Sequence, residues 1–144
     1  MNAYFDTAII VKLYVQETTS PEAIRVANEH PAPYLLTPWQ EIEARTALRL
    51  KAFRKEMSTR EMQASVAAFD KDILSGRWRK PEYREATVWK FARELSDGHA
   101  TEIGCRTLDL IHVAAALCLG VETFVTFDGR QRTLAKLKGL TVKP

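Results

Sequence analysis

Four acidic residues occupy four separate apolar settings in this 144-residue chain. Asp6 closes Ala3-Tyr4-Phe5, and Glu43 lies inside Trp39-Gln40-Glu41-Ile42-Glu43-Ala44. Asp109 sits in Leu108-Asp109-Leu110-Ile111, and Asp128 ends Phe124-Val125-Thr126-Phe127. An unpaired carboxylate is costly to bury, so each is expected to be exposed, partnered or holding a metal. Brought together without a cation, each like-charge pair at ~5 Å costs about 3 kcal/mol at an effective dielectric near 20. Protonation relieves that penalty, and so does Mg²⁺ or Mn²⁺, hard cations that prefer carboxylate and water oxygens. Such ions lower the pKa of a bound water and stabilise charge on a phosphate, which is the chemistry of a metal-dependent nuclease.

Each acid also has a plainer role. Asp6 can cap the helix that follows it, and Asp109 can favour a helix dipole from the first turn. Asp128-Gly129 is ordinary turn chemistry. Glu41 and Glu43 point about 200° apart on a helix, so only one can face a given crevice. Hydroxyls stand near two of the acids, Thr7 after Asp6 and Thr126 before Asp128. His112 lies one turn from Asp109 and reads first as a packed, hydrogen-bonded histidine. Trp78, Tyr83 and Trp89 interleave with Arg77, Arg79, Lys80, Arg84 and Lys90. Their rings could stack on unpaired bases, although core or dimer-interface packing is the plainer reading.

The elements that must position these residues alternate. Residues 3–6 read as a strand followed directly by a helix over 7–17. Ser20-Pro21-Glu22 opens a second helix with serine as its cap. A second strand falls at 34–36, and Thr37-Pro38-Trp39-Gln40 is a capping box for a helix to about Lys55. Ser58-Thr59-Arg60-Glu61 opens another helix toward Leu74. Residues 76–81 read as a break, 83–87 as a possible strand and 88–95 as a helix. Thr107 caps a buried helix through Leu119 stopped by Gly120. A strand over 122–127, a helix over 130–138 and a strand over 140–142 complete the pattern. Strands alternating with helices predict one α/β domain over 1–144, with a parallel sheet of four to five strands covered on both faces. Asp6 and Asp128 then fall at carboxyl ends of strands, where open parallel sheets place their functional crevice.

The apolar fraction of 46% with 27% charged residues is ordinary soluble composition. With no run near the ~20 apolar residues of a membrane span and no signal-peptide pattern, a cytoplasmic protein with no membrane partner is expected. Cys105 and Cys118 would stand about 20 Å apart on one helix, so they read as reduced thiols. Residues 45–93 hold thirteen Lys and Arg against six Asp and Glu, a balance of +7, while the rest of the chain stands at −4. A basic middle between acidic ends suits a polyanion held beside a metal-binding carboxylate cluster.

These pieces resemble the PIN-domain ribonucleases, specifically the VapC-type toxins of bacterial toxin–antitoxin pairs. The likeness runs through Tyr4-Phe5-Asp6-Thr7 to Tyr14, Glu43-Ala44-Arg45-Thr46-Ala47-Leu48, Arg106-Thr107-Leu108-Asp109 to Leu117, and Val125-Thr126-Phe127-Asp128. The resemblance implies a three-layer α/β/α fold in which Asp6, Glu43, Asp109 and Asp128 are catalytic and bind Mg²⁺ or Mn²⁺. It selects Glu43 over Glu41 and implies a homodimer inhibited by a VapB-type antitoxin. The second hydroxyl common after the first acid is Ala8 here. Thr7 and Thr126 are then expected to support the metal ligands, and Arg45, Arg49 and Arg106 to hold the RNA backbone. The rival expectation is a catalytically inactive RNA-binding or protein-interaction module. A phospho-receiver is disfavoured because Asp6 stands alone, and a haloacid-dehalogenase-type phosphatase because position 8 is alanine.

Overall fold

The computed structural model describes residues 2–144 and divides into two compact units, one from residues up to Asp6 together with Pro81–Pro144, the other Thr7–Lys80. Each has its own small parallel sheet. In the first, β1 (Ala3–Phe5), β4 (Thr123–Val125) and β5 (Thr141–Lys143) pair in the order β1-β4-β5, with Tyr4 opposite Phe124 and Phe124 opposite Val142. In the second, β2 (Tyr34–Leu35) pairs with β3 (Trp78–Arg79).

The expected single central sheet of four to five strands is therefore not formed. Among the described residues no strand exceeds three residues, and the chain is 61% helical. The partner of β2 comes from residues 78–79, which read as part of a break. Residues 83–87 do not form the possible strand. They run into α5 (Glu85–Ile103), a helix far longer than the one expected over 88–95. Val88 and Leu95 are buried and α5 packs along α6 (Thr107–Cys118), which carries the helix through polar Asp97 and helix-weakening Gly98. That packing overrides a local cost of about 1 kcal/mol for the glycine. The helix stops at Gly104, which takes the left-handed φ of 73° that glycine tolerates.

Unit one is built around α6, where every side chain from Asp109 to Ala116 is buried. Tyr4 stacks on Phe124 with centroids 5.5 Å apart, and its hydroxyl meets His112 Nδ1 at 2.8 Å. His112 is thus the packed, hydrogen-bonded histidine. The unit closes with α7 (Gly129–Leu137), which Asp128 caps by accepting from the Gln131 amide at 2.9 Å.

Unit two holds α1 (Thr7–Lys12), α2 (Ser20–Asn28), α3 (Pro38–Phe53) and α4 (Thr59–Leu74). The Thr37–Gln40 capping box forms as read from the sequence, and of the second box read at Ser58–Glu61 the serine half forms, its side chain accepting from the Glu61 amide. Ser20 does not cap α2. Its hydroxyl accepts from the Glu17 amide and donates to the Val15 carbonyl, tying the preceding loop, and Thr19 takes the cap position without a side-chain bond. Phe69, Trp78 and Tyr34 are buried in an aromatic cluster, with Phe69 and Trp78 centroids 6.1 Å apart. Trp78 is therefore a core residue.

Candidate functional site

Parallel pairing brings the carboxyl ends of β1 and β4 side by side. The Asp6 amide donates to the Val125 carbonyl at 3.0 Å, extending the ladder by one residue. Asp6 is 3% exposed, and its Oδ2 accepts from the Thr126 hydroxyl at 2.5 Å. Thr126 Oγ1 in turn accepts from the Asp128 amide at 3.0 Å. Asp128 Oδ1 accepts from the Gln131 amide, and the Gln131 side-chain amide donates to Asp109 Oδ1 at 3.0 Å. Asp109 Oδ2 accepts from the Arg106 amide at 3.0 Å, with Arg106 Nε 3.8 Å away. One hydrogen-bonded chain thus runs Asp6–Thr126–Asp128–Gln131–Asp109–Arg106. Three of the four acids singled out in the sequence share it, together with Thr126.

Glu43 belongs to the other unit. There the Thr7 hydroxyl donates to Glu43 Oε1 at 3.0 Å. Glu41 is occupied differently, with Lys80 at 3.3 Å and Arg45 at 3.8 Å. The two glutamates are thus separated chemically, as the helical spacing requires.

Gln131 was not picked out in the sequence, although Asp128-Gly129-Arg130-Gln131 has capping-box spacing. Its side chain is 6% exposed, and its Oε1 is buried without a hydrogen-bond partner. Orienting Nε2 toward the Asp109 carboxylate forces that oxygen away, because the reverse orientation opposes two acceptors. A buried acceptor lacking a donor costs about 1–3 kcal/mol, and a bound water or cation relieves it.

The fields of Asp109 and Asp128 meet at Cys105. Burial pushes that thiol's pKa up, the two carboxylates push it further, and Arg130 opposes them. Arg130 also lines an open groove of about 550 Å³ with Glu102, Ile103, Asp128, Gly129 and Thr133.

The donor set of carboxylate, hydroxyl and carboxamide oxygens suits a hard cation such as Mg²⁺ or Mn²⁺, and the orphaned Gln131 oxygen fits that chemistry. Among the described residues, however, no three of the His, Cys, Asp and Glu side chains stand grouped as a ready metal site. Asp109 already has a donor on each oxygen. An ion would have to exchange for some of these bonds.

The residues expected to hold RNA differ among themselves. Arg45 is ion-paired to Asp70 at 2.6 Å and lies over the Phe69 ring. Arg49 donates to the Arg45 carbonyl and lines a surface groove with Met62 and Val66. Arg106 is largely exposed at the start of α6. Trp89 is 47% exposed on α5.

No family model matches the chain, and no curated protein matches it in sequence. The fold is similar to the crystal structure of FitAcB from Neisseria gonorrhoeae, with a TM-score of 0.69 and 16% identity over 100% of this chain and 97% of that one. Likeness at that identity is one of fold. The identification as a PIN-domain, VapC-type toxin does not stand, because the neighbour is FitAcB and the chain is mostly helical around two small sheets. No described helix is long and apolar enough to cross a membrane.

Proposed function

We propose that the chain is a divalent-metal-dependent endoribonuclease acting as the toxin of a two-protein toxin–antitoxin pair. The supporting observation is the hydrogen-bonded chain that gathers Asp6, Asp128 and Asp109 at adjacent carboxyl ends of parallel strands. Likeness to FitAcB, a complex of an antitoxin with its toxin, supports the two-protein setting and a cognate antitoxin as partner. A homodimer belongs to the same reading.

In this reading Asp6, Asp109 and Asp128 hold Mg²⁺ or Mn²⁺. When bound, the ion supplies a Lewis acid that acidifies water and balances charge on the phosphodiester. Thr126 fixes the Asp6 carboxylate through its hydroxyl. Gln131 fixes Asp109 through its side chain and Asp128 through its backbone. Glu43 lies in the other unit, where the Thr7 hydroxyl orients it. Arg106, exposed beside Asp109, is placed to meet substrate phosphate.

Purified protein should cleave single-stranded RNA in Mg²⁺ or Mn²⁺ and fail in EDTA, and Asp6→Asn should lower the rate by about 10²-fold or more. Wild-type cleavage by Asp6→Asn, with metal dependence intact, sinks the assignment. A second reading, a catalytically inactive RNA-binding or protein-interaction module, is favoured by the absence of a grouped metal site among the described residues. RNA binding without cleavage in either metal selects it.

A further inference from the structure

Helix α5 turns Val88 and Leu95 inward, while Ala86, Trp89, Lys90, Arg93 and Asp97 fall on the opposite face at spacings of three, four and seven. A tryptophan on the outward face of an amphipathic helix leaves a large ring in solvent. Trp89 keeps 47% of its surface exposed, and its indole N–H donates to Glu85 one turn earlier at 3.2 Å. That bond satisfies the ring's one polar atom and restrains its orientation. Ala86 is small, so it leaves room on the same face. With Glu94, these side chains line an open groove of about 510 Å³.

The charges around the ring identify what it suits. Lys90 makes no ion pair among the described residues. Among the described residues Arg93 pairs with Asp97 alone, at 4.0 Å, with both side chains at least 75% exposed. Such a pair contributes little and opens readily. Two available cations therefore flank one aromatic ring. A protein-binding hot spot needs a dry apolar surround, and lysine is depleted in such cores. Here the ring's groove neighbours, apart from Ala86, are all charged. Stacking on an unpaired base with cations on adjacent phosphates needs only the ring and the charges that are present. Glu85, which holds the indole N–H, and Glu94 and Asp97 in the groove temper the attraction.

We infer that the Ala86–Trp89–Lys90–Arg93 face of α5 is a subsite for single-stranded RNA, with Trp89 stacking on one base and Lys90 and Arg93 contacting its flanking phosphates. The inference rests on RNA being the substrate, as proposed above, and adds a place outside the carboxylate network where that RNA is held.

Titrating the full-length chain with a short end-labelled oligoadenylate in EDTA tests it, with tryptophan fluorescence followed where Trp89 is present and the anisotropy of the label followed for every variant. Quenching should saturate for the single strand and be much weaker for a duplex of the same length. Trp89→Ala should bind about 10-fold more weakly, and Trp89→Phe, which still stacks, within about 3-fold of wild type. Lys90→Gln should lower the salt slope of binding by about 0.7. Unchanged affinity in Trp89→Ala overturns the subsite, as does a Trp89→Ala effect confined to self-association of the chain. Asp6→Asn should quench like wild type while failing to cleave. Quenching by a wild-type protein that never cleaves sinks the nuclease reading and leaves the subsite standing. Cleavage with no Trp89-dependent binding does the reverse.

Discussion

Two groups of acids are held by different kinds of donor. In the Thr7–Lys80 unit Glu17 sits between Lys12 and Lys51, Asp70 meets Arg45, and Glu41 meets Lys80, while Glu43 accepts from a hydroxyl. In the other unit Asp128 accepts from a backbone amide, and Asp109 from one backbone and one side-chain amide with Arg106 at the margin of contact. Opposite charges cancel, so an ion-paired acid has little left to offer a ligand. Amide-held acids are oriented by donors that bring no full opposite charge. Charge left standing on buried, oriented carboxylates marks a site more surely than acid content does.

The largest test of that contrast removes one acid from each class. Asp109→Asn should lower RNA cleavage by about 10²-fold or more while costing only about 1–3 kcal/mol of stability, because asparagine keeps one acceptor and turns its NH2 toward the second of the two donors. A collapse of stability with cleavage proportional to the folded fraction would make Asp109 a structural residue. Glu41→Gln, from the ion-paired class, should leave the cleavage rate unchanged. A slowed rate contradicts the contrast.

Next in size is Tyr14→Phe in the ion-paired unit. Tyr14 donates to Asp72 at 2.6 Å and accepts from Trp78 Nε1 at 2.7 Å, and burial, followed by Asp72, holds its pKa above the ordinary tyrosine value. The variant should lose about 1–3 kcal/mol in urea unfolding. A neutral result would show that these groups find water instead.

Glu17→Gln comes third. Hydrogen bonds from Lys12 and then Lys51 lower the Glu17 pKa, so its stabilisation is present above the ordinary carboxylate range and lost as pH falls through the lowered value. Lys51 is raised by Glu17, so its share is present below the ordinary lysine value and lost as pH rises through the raised one. The pair is partly exposed, so the loss near neutrality should be about 0–1 kcal/mol, with a flatter acid limb in the variant's stability profile. An unchanged acid limb contradicts the pairing.

The smallest effect is at Cys105. Asp128→Asn removes one of the charges raising its pKa, so alkylation above neutrality should quicken modestly. An unchanged rate would place Asp128 too far away to matter.

Local chemistry made much of this legible in the sequence. The Thr37–Gln40 box, the Ser58 cap and the strand end at Asp6 follow from short-range rules, whereas Arg106 rather than Thr107 takes the cap position of α6 and β4 ends at Val125 rather than Phe127. The single sheet did not survive, because two-residue strands such as Tyr34–Leu35 find partners through tertiary contacts that no period in the sequence encodes. The length of α5 was hidden by Gly98, whose cost is offset by packing on α6. At the candidate site the acids were visible as carboxylates in apolar settings. Their link was not, since Gln131 looks like an ordinary helix residue until folding buries it beside Asp109. Trp78 and Trp89 looked alike in sequence, and only burial separates a core ring from an exposed one.

Isothermal titration of Mn²⁺ into the full-length chain tests most directly whether the amide-held acids form a cation site. Wild type and Glu17→Gln should bind alike, Asp6→Asn and Asp109→Asn at least about 10-fold more weakly, and Gln131→Ala in between. Folded wild-type protein that takes up no Mn²⁺, or binding undiminished in both Asp6→Asn and Asp109→Asn, contradicts the account.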